Sequence, residues 1–268
     1  MSIYKVINCL INIEINEELL DSSWQKFYLC DKMAVCSEEK ILYDITLKPF
    51  EFDIINQDIK LTKFIPCSHV VSAYNKIMVT DINYSLAYVQ PSVKEAYNIF
   101  LNYLFYGHAI KAYILQFHCS IIEYRGTGII FLGPSGIGKT TQAEKWEEYR
   151  GAKIINGDIG YVQKTSQGFV VWGTPWHGSS PYCLNTSVPL AALVILKQSK
   201  KNRIRKLEGF EKLAEVTANV FYPTWIEDGI SLCMDILGEL LDNVPVYCLD
   251  NTADEKSIEI LEEELKYL

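Results

Sequence analysis

Eight consecutive residues, Gly133-Pro134-Ser135-Gly136-Ile137-Gly138-Lys139-Thr140, match the pattern G-x-x-x-x-G-K-[ST] at every fixed position. Residues of these types at this spacing hold phosphate. Glycines let backbone N–H groups turn inward around phosphate oxygens, and the start of a following helix adds a favourable dipole. The Lys139 ammonium can reach the outer phosphates, and the Thr140 hydroxyl can ligate Mg²⁺. The candidate nucleotide-binding set runs from Gly133 to Thr141, with ATP and Mg²⁺ as the expected ligands.

Other residues carry weaker signals. Asp158 follows the apolar run Lys153-Ile154-Ile155-Asn156-Gly157, so it could hold the metal, accept a proton from an attacking hydroxyl, or simply close a turn. His118 ends an apolar segment, where a hydrogen-bonded structural role and a catalytic one are both open. The stretch from Gly173 to Ser180 is rich in loop formers, and its Trp176 could wall a pocket or lie in a surface turn. Arg203, Arg205 and Lys206 form a basic cluster that could screen charge on a transferring phosphoryl group, or be a solvated loop. The acidic run Glu262-Glu263-Glu264 reads as a solvated helix face.

The elements that must position these residues follow from hydrophobic periodicity and turn chemistry. Gly128 to Leu132 is a strand feeding the glycine-rich loop, and Arg125-Gly126-Thr127-Gly128 joins it to an apolar run from Ile110 to Glu123. A helix is predicted from Thr141 to Tyr149. A strand follows from Lys153 to Asn156, then a strand pair at Tyr161 to Lys164 and Phe169 to Gly173, and a buried strand from Leu190 to Lys197. Helices are expected over Phe210 to Val220 and Ile226 to Leu241, a strand over Val246 to Leu249, and a last helix capped by Thr252 with Glu255. Upstream, Tyr4 to Ile13, Ile41 to Leu47, Lys76 to Val79 and Ser85 to Val89 read as β segments. Pro91 and Ser92 open a helix with Glu95 completing a capping box, an apolar stripe of Val93, Ala96, Ile99, Phe100, Tyr103 and Leu104, and an end at Gly107. The result is a mixed, β-rich α/β chain with a small N-terminal domain over 1–107 and a second domain over 108–268.

Composition narrows the function classes. The chain has 268 residues, 49% of them hydrophobic, and a formal charge of −8, which argues against general affinity for nucleic acid or an anionic membrane. All four arginines (Arg125, Arg150, Arg203 and Arg205) lie in the second part, so forked guanidinium contacts are confined there. The eight cysteines form no C-x-x-C pair, which favours reduced thiols. No stretch reads as a secretory signal or membrane span, and a cytoplasmic location is expected.

Phe117-His118-Cys119-Ser120, the strand into Gly133 to Thr140, Asn156-Gly157-Asp158 and Gly173-Thr174-Pro175-Trp176 together resemble the catalytic domain of HPr kinase/phosphorylase. The likeness is closest to the HPr-kinase-like proteins of modified-peptide biosynthesis, including lasso peptide kinases, and covers residues 108–268. It implies a P-loop core of the type shared with phosphoenolpyruvate carboxykinases, and a Mg·ATP-dependent phosphotransferase acting on a Ser/Thr hydroxyl of a peptide or protein. His118 matches the family's histidine upstream of the loop, Lys139 and Thr140 its phosphate and metal residues, and Asp158 the second of its paired aspartates. Gly157 stands where the first of that pair belongs, leaving Asp158 as base, metal ligand or both. HPr itself is not the expected acceptor, because the family's later glycine-rich signature has no match. HPr kinases assemble as hexamers, so the resemblance also implies a homo-oligomer. A small-molecule kinase acting, for instance, on free serine is a second reading, and a nucleotide-regulated binding module without transfer activity a third. The chain is much too short for a complete phosphoenolpyruvate carboxykinase.

Overall fold

Alternating apolar residues in the N-terminal third pair into strands whose inner face is dry. A computed structural model describes residues 2–31, 43–49, 52–55, 58–61, 69–90 and 93–266. The chain divides into two compact units, Met1–His108 and Ala109–Leu268.

In the first unit the strands are β1 (Ser2–Val6), β2 (Cys9–Ile13), β3 (Tyr28–Asp31), β4 (Tyr43–Pro49), β5 (Phe52–Ile55), β6 (Asp58–Leu61), β7 (His69–Ala73), β8 (Lys76–Thr80) and β9 (Leu86–Val89), followed by helix α1 (Lys94–Ala109). Seven strands form one sheet in the order β3-β1-β2-β4-β9-β8-β7, while β5 and β6 pair separately. The segment from Tyr4 to Ile13 is a hairpin rather than one strand, because the chain turns at Ile7, whose φ is 57°. Tyr4, Trp24, Ile11, Leu47, Met78 and Val89 are fully buried or nearly so, with Tyr4 and Trp24 meeting edge-on at 5.5 Å. Helix α1 runs two residues past Gly107, and its buried face is rotated from the expected stripe: Ala96, Phe100 and Leu104 are buried, but Tyr97 and Leu101 join them while Val93 and Ile99 face solvent. Pro91, Ser92, Ile41 and Leu42 lie outside the described residues.

The second unit contains β10 (Ile114–Tyr124), β11 (Thr127–Leu132), α2 (Lys139–Arg150), β12 (Lys153–Asn156), β13 (Ile159–Thr165), β14 (Gly168–Trp172), β15 (Ser187–Gln198), β16 (Arg203–Lys206), α3 (Gly209–Thr217), β17 (Val220–Phe221), α4 (Gly229–Asn243), β18 (Val246–Asn251) and α5 (Glu255–Leu265). Two long strands organise it. β10 pairs with β13 through Ile114 to His118 and with β11 through Cys119 to Tyr124. β15 pairs with β14 near Ser187 and in parallel with β11 and β18 further on. The pairings β10-β13-β14-β15-β11-β10 close on themselves, and β18 and then β16 extend beyond β15. Trp146 and Ala143 of α2 and Ile258 and Leu261 of α5 pack with Ile129, Phe131, Val194 and Leu249 of the sheet, so apolar burial fixes α2 beside β11.

Several sequence expectations shift in detail. Ile110 to Ala112 is a short 3-10 turn and β10 begins only at Ile114. Val220 belongs to β17, α4 begins at Gly229, and the N-cap of α5 is Asp254, whose carboxylate accepts from the Ser257 N–H. Glu263 and Glu264 are exposed, as expected of a solvated face, whereas Glu262 is turned inward, its side chain 15% exposed. It accepts hydrogen bonds from the Tyr124 hydroxyl at 2.5 Å, from Arg125 at 3.1 Å and from Arg150 at 2.7 Å, and these hold its carboxyl below the usual range. Among the described residues, Cys9, Cys30, Cys119, Cys183, Cys233 and Cys248 are free thiols, and no helix is long and apolar enough to cross a membrane.

Candidate active site

The glycine-rich loop leaves the end of β11, and its backbone explains its glycines. Gly133, Gly136 and Gly138 have φ of 142°, 78° and 105°, a region that side chains with a Cβ rarely adopt. Gly133 is also crowded, since a Cβ there would lie 3.1 Å from Ile137 and 3.3 Å from the Leu196 carbonyl oxygen. The loop ends at the N-terminus of α2, whose first residue is Lys139. Lys139 is 7% exposed, and its ammonium donates to the carbonyl oxygens of Gly133 at 2.9 Å and Pro134 at 3.3 Å. Burial pushes this ammonium below its ordinary value, and the Asp158 carboxylate acts in the opposite sense.

Strands β12 and β13 run along the same edge of β10. Ile121 pairs with Asn156, the Cys119 N–H donates to the Asp158 carbonyl at 2.9 Å, and His118 pairs with Ile159. Gly157 and Asp158 therefore interrupt what is otherwise one strand, and the interruption turns the Asp158 side chain toward His118. Asp158 Oδ1 lies 3.3 Å from His118 Nε2, with both side chains about one-third exposed. The Gly157 carbonyl oxygen accepts from the hydroxyls of Thr140 at 3.1 Å and Ser120 at 3.0 Å. The loop, the metal-ligand candidate Thr140 and the His118–Asp158 pair thus meet around two adjacent residues.

Asn156 holds this junction in place. It is fully buried; its Oδ1 accepts from the backbone N–H groups of Asp158 at 2.9 Å and Ile159 at 3.0 Å, while its Nδ2 donates to the carbonyls of Thr174 at 3.2 Å and Trp176 at 2.8 Å. The Gly173 to Ser180 loop is in this way clipped onto the end of β12. Gly178, at φ 61°, presses its backbone against Asp158: a Cβ there would stand 2.2 Å from Asp158 Oδ2. The space a side chain at Gly157 would need is filled by Ser180, whose Oγ would be 1.8 Å from a Cβ. Trp176 is buried and faces Tyr161 at 5.9 Å between ring centroids, so it packs in the interior and is not part of a surface turn. Cys119 is also buried, and burial holds its thiol protonated, well above its usual range.

Of the residues read from sequence, His118, Lys139, Thr140 and Asp158 come together, and Gly133 to Gly138 form the turn beside them. Arg203 and Arg205 do not join them. They lie on β16, separated from β11 by β15 and β18, and the Arg205 guanidinium makes a two-pronged pair with Glu211 of α3. Sequence reasoning assigned no role to Ser120, Asn156, Gly178 or Asn219. Asn219 Oδ1 accepts from the Gly133 N–H at 2.8 Å, and nothing local in its sequence announces this. Among the described residues there is no cluster of three His, Cys, Asp or Glu side chains able to hold a metal, so an ion would draw on hydroxyl and carbonyl oxygens as well as Asp158.

No family model and no curated protein matches this chain. Among solved structures, the HPr(Ser) kinase/phosphatase from Coxiella burnetii is similar over 57% of this chain and 97% of its own, with a TM-score of 0.34 and 12% sequence identity. The similarity is distant and concerns the fold.

Proposed function

We propose that this chain is a Mg·ATP-dependent kinase that phosphorylates a Ser or Thr hydroxyl on a peptide or protein. The observation that carries this reading is the convergence of three groups: the loop ending in Lys139 and Thr140, the Gly157 carbonyl that accepts from Thr140, and the Asp158 carboxylate 3.3 Å from His118. Residues Gly133 to Thr140 fit a nucleotide's phosphates, since the turn has left-handed glycines, a helix N-terminus and one buried ammonium. Thr140 and Asp158 would hold the metal. When bound, Mg·ATP supplies the phosphoryl group and neutralises charge on it.

The chain's own groups then have distinct tasks. Lys139 brings positive charge to the end of the loop. Asp158, fixed by Asn156 and Gly178, is the base that takes the acceptor's hydroxyl proton, and His118 orients its carboxylate through the contact to Oδ1. Transfer of this kind requires mainly positioning and charge complementarity, which these groups can provide.

The test is a mass-shift assay with Mg·ATP, offering a Ser/Thr peptide pool and free L-serine in parallel. A gain of about 80 Da, one added phosphoryl group, on peptides is expected, and Lys139→Ala and Asp158→Asn should both lose it. Full transfer by Asp158→Asn would overturn the role given to that carboxylate. A shift on serine alone would make the chain a small-molecule kinase, and nucleotide binding with no acceptor modified would make it a binding module.

A further inference from the structure

β10 has two edges at His118 and Cys119. One faces Asp158. On the other, β11 ends at Leu132, paired with Cys119, and β17 begins at Val220, paired with Phe117. The gap between these two strands is closed by a single residue, Asn219, which is 7% exposed. Its side-chain Oδ1 accepts from the Gly133 N–H at 2.8 Å, and its main-chain carbonyl accepts from the His118 N–H at 2.9 Å. Its Nδ2 donates to the Glu215 carbonyl at 2.9 Å in the last turn of α3. That helix is in turn tied to the sheet, since Glu215 pairs with Lys197 of β15 at 2.5 Å and Glu211 pairs with Arg205 of β16.

From this geometry we infer that Asn219 is a positioning residue that couples the phosphate loop to the His118–Asp158 pair. The inference rests on the nucleotide reading above. The first amide of the loop is committed to the protein and serves as a hinge, so the angle at which the loop leaves β11 is set by the same residue that accepts from the strand carrying His118. Arg205 and Lys197 act at one further remove, by holding α3 in register. A buried amide group with both of its functions satisfied has one preferred geometry, which is why one side chain can fix two segments together.

The experiment compares wild type with Asn219→Ala and Asn219→Asp, by amide hydrogen exchange at Gly133 and His118 and by calorimetric titration with Mg·ADP, well below each protein's unfolding temperature. Alanine keeps the main-chain carbonyl that accepts from His118. A role confined to the loop would therefore leave His118 exchange unchanged. The coupling predicts exchange at least tenfold faster at both amides in Asn219→Ala, with Mg·ADP affinity at least tenfold weaker. Asn219→Asp retains an oxygen toward Gly133 but sets its second oxygen against the Glu215 carbonyl, so it should show the same effects in smaller degree, with exchange at least threefold faster at both amides; it decides the matter if the alanine variant does not fold. Wild-type exchange at His118 in folded Asn219→Ala, unchanged Mg·ADP affinity there, or wild-type His118 exchange in Asn219→Asp would each overturn the inference. Wild-type protein that fails to bind Mg·ADP would overturn the nucleotide reading itself, leaving the exchange result to decide the coupling.

Discussion

Asn156 is the residue whose replacement tests the support of the site most sharply. Alanine there removes four hydrogen bonds, two from the backbone N–H groups of Asp158 and Ile159 and two to the carbonyls of Thr174 and Trp176. Each such bond contributes about 1 kcal/mol net. Asp158 and Ile159 are only half-buried, so water can replace part of what they lose, whereas Thr174 and Trp176 are buried. A cost of about 2–4 kcal/mol follows, which at a urea slope of about 2 kcal/mol/M lowers the midpoint by about 1–2 M. Four of the five tryptophans, Trp146, Trp172, Trp176 and Trp225, lie in the second unit, so tryptophan fluorescence reports mainly on it.

Asn156→Asp sharpens the test. The variant keeps an acceptor for the two N–H groups but turns a second oxygen, in place of Nδ2, toward two carbonyl oxygens that need a donor. In the folded chain that carboxyl binds its proton more tightly than the ordinary aspartate value of about 3.9. The folded state then holds more protons than the unfolded one between that value and the raised one. Stability of the variant must therefore fall as pH rises through this window, and the gap to wild type must widen from about pH 4 upward. Urea midpoints at several pH values measure it. A gap between wild type and Asn156→Asp that stays constant from pH 4 to 8, or an Asn156→Ala cost below about 0.5 kcal/mol, would refute the argument that this side chain clips the loop to the strand.

Three other substitutions probe neighbouring contacts. Gly178→Ala meets both a left-handed backbone and the Asp158 carboxylate, so transfer should fall at least tenfold while affinity for metal-free ADP, measured by calorimetry, changes less than threefold. Gly157→Ala collides with Ser180 and should cost about 1–3 kcal/mol in urea unfolding, with most of it recovered when Ser180→Gly is added. Lys139 has a folded-state value below the ordinary lysine value, so between the two the unfolded chain holds more protons and the residue's contribution to stability rises with pH. Wild type should accordingly gain on Lys139→Met in urea midpoint between pH 7 and pH 9.5, and an equal pH response of the two proteins would sink this account.

The parts of the site that were legible in the sequence are those whose physics is local. The loop from Gly133 to Thr140 is contiguous, and its glycines are demanded by its own dihedral angles, so eight residues suffice to recognise it. Asp158 was legible as a polar residue at a strand end and His118 as one closing an apolar segment, though it lies within β10, and only the register of β12 and β13 along β10 puts them 3.3 Å apart. Arg203 and Arg205 illustrate the opposite case. They follow β15 in sequence, yet β18, more than forty residues later in the chain, inserts between β15 and β16 and carries them away from the loop. Strand order is a long-range property that periodicity does not encode. The same holds for Asn219, which reads as an ordinary polar residue at a helix end, and for α1, whose buried face was set by Tyr97 and Leu101 meeting the rest of the unit.

Support for transfer, as against nucleotide binding alone, lies in where the fold commits its buried polar groups. A chain that only held a nucleotide would need the turn at 133–138, Lys139 and Thr140. Nothing in that task calls for a fully buried asparagine with both functions bonded, a left-handed glycine packed on a carboxylate, and a strand interrupted at Gly157 and Asp158 so that the carboxylate meets a histidine. Interrupting a ladder forgoes backbone hydrogen bonds, and a left-handed backbone narrows the residues a position can accept. Among the described residues of the second unit these features act together on Asp158 alone, which is what the proposed base, held at one place, would require.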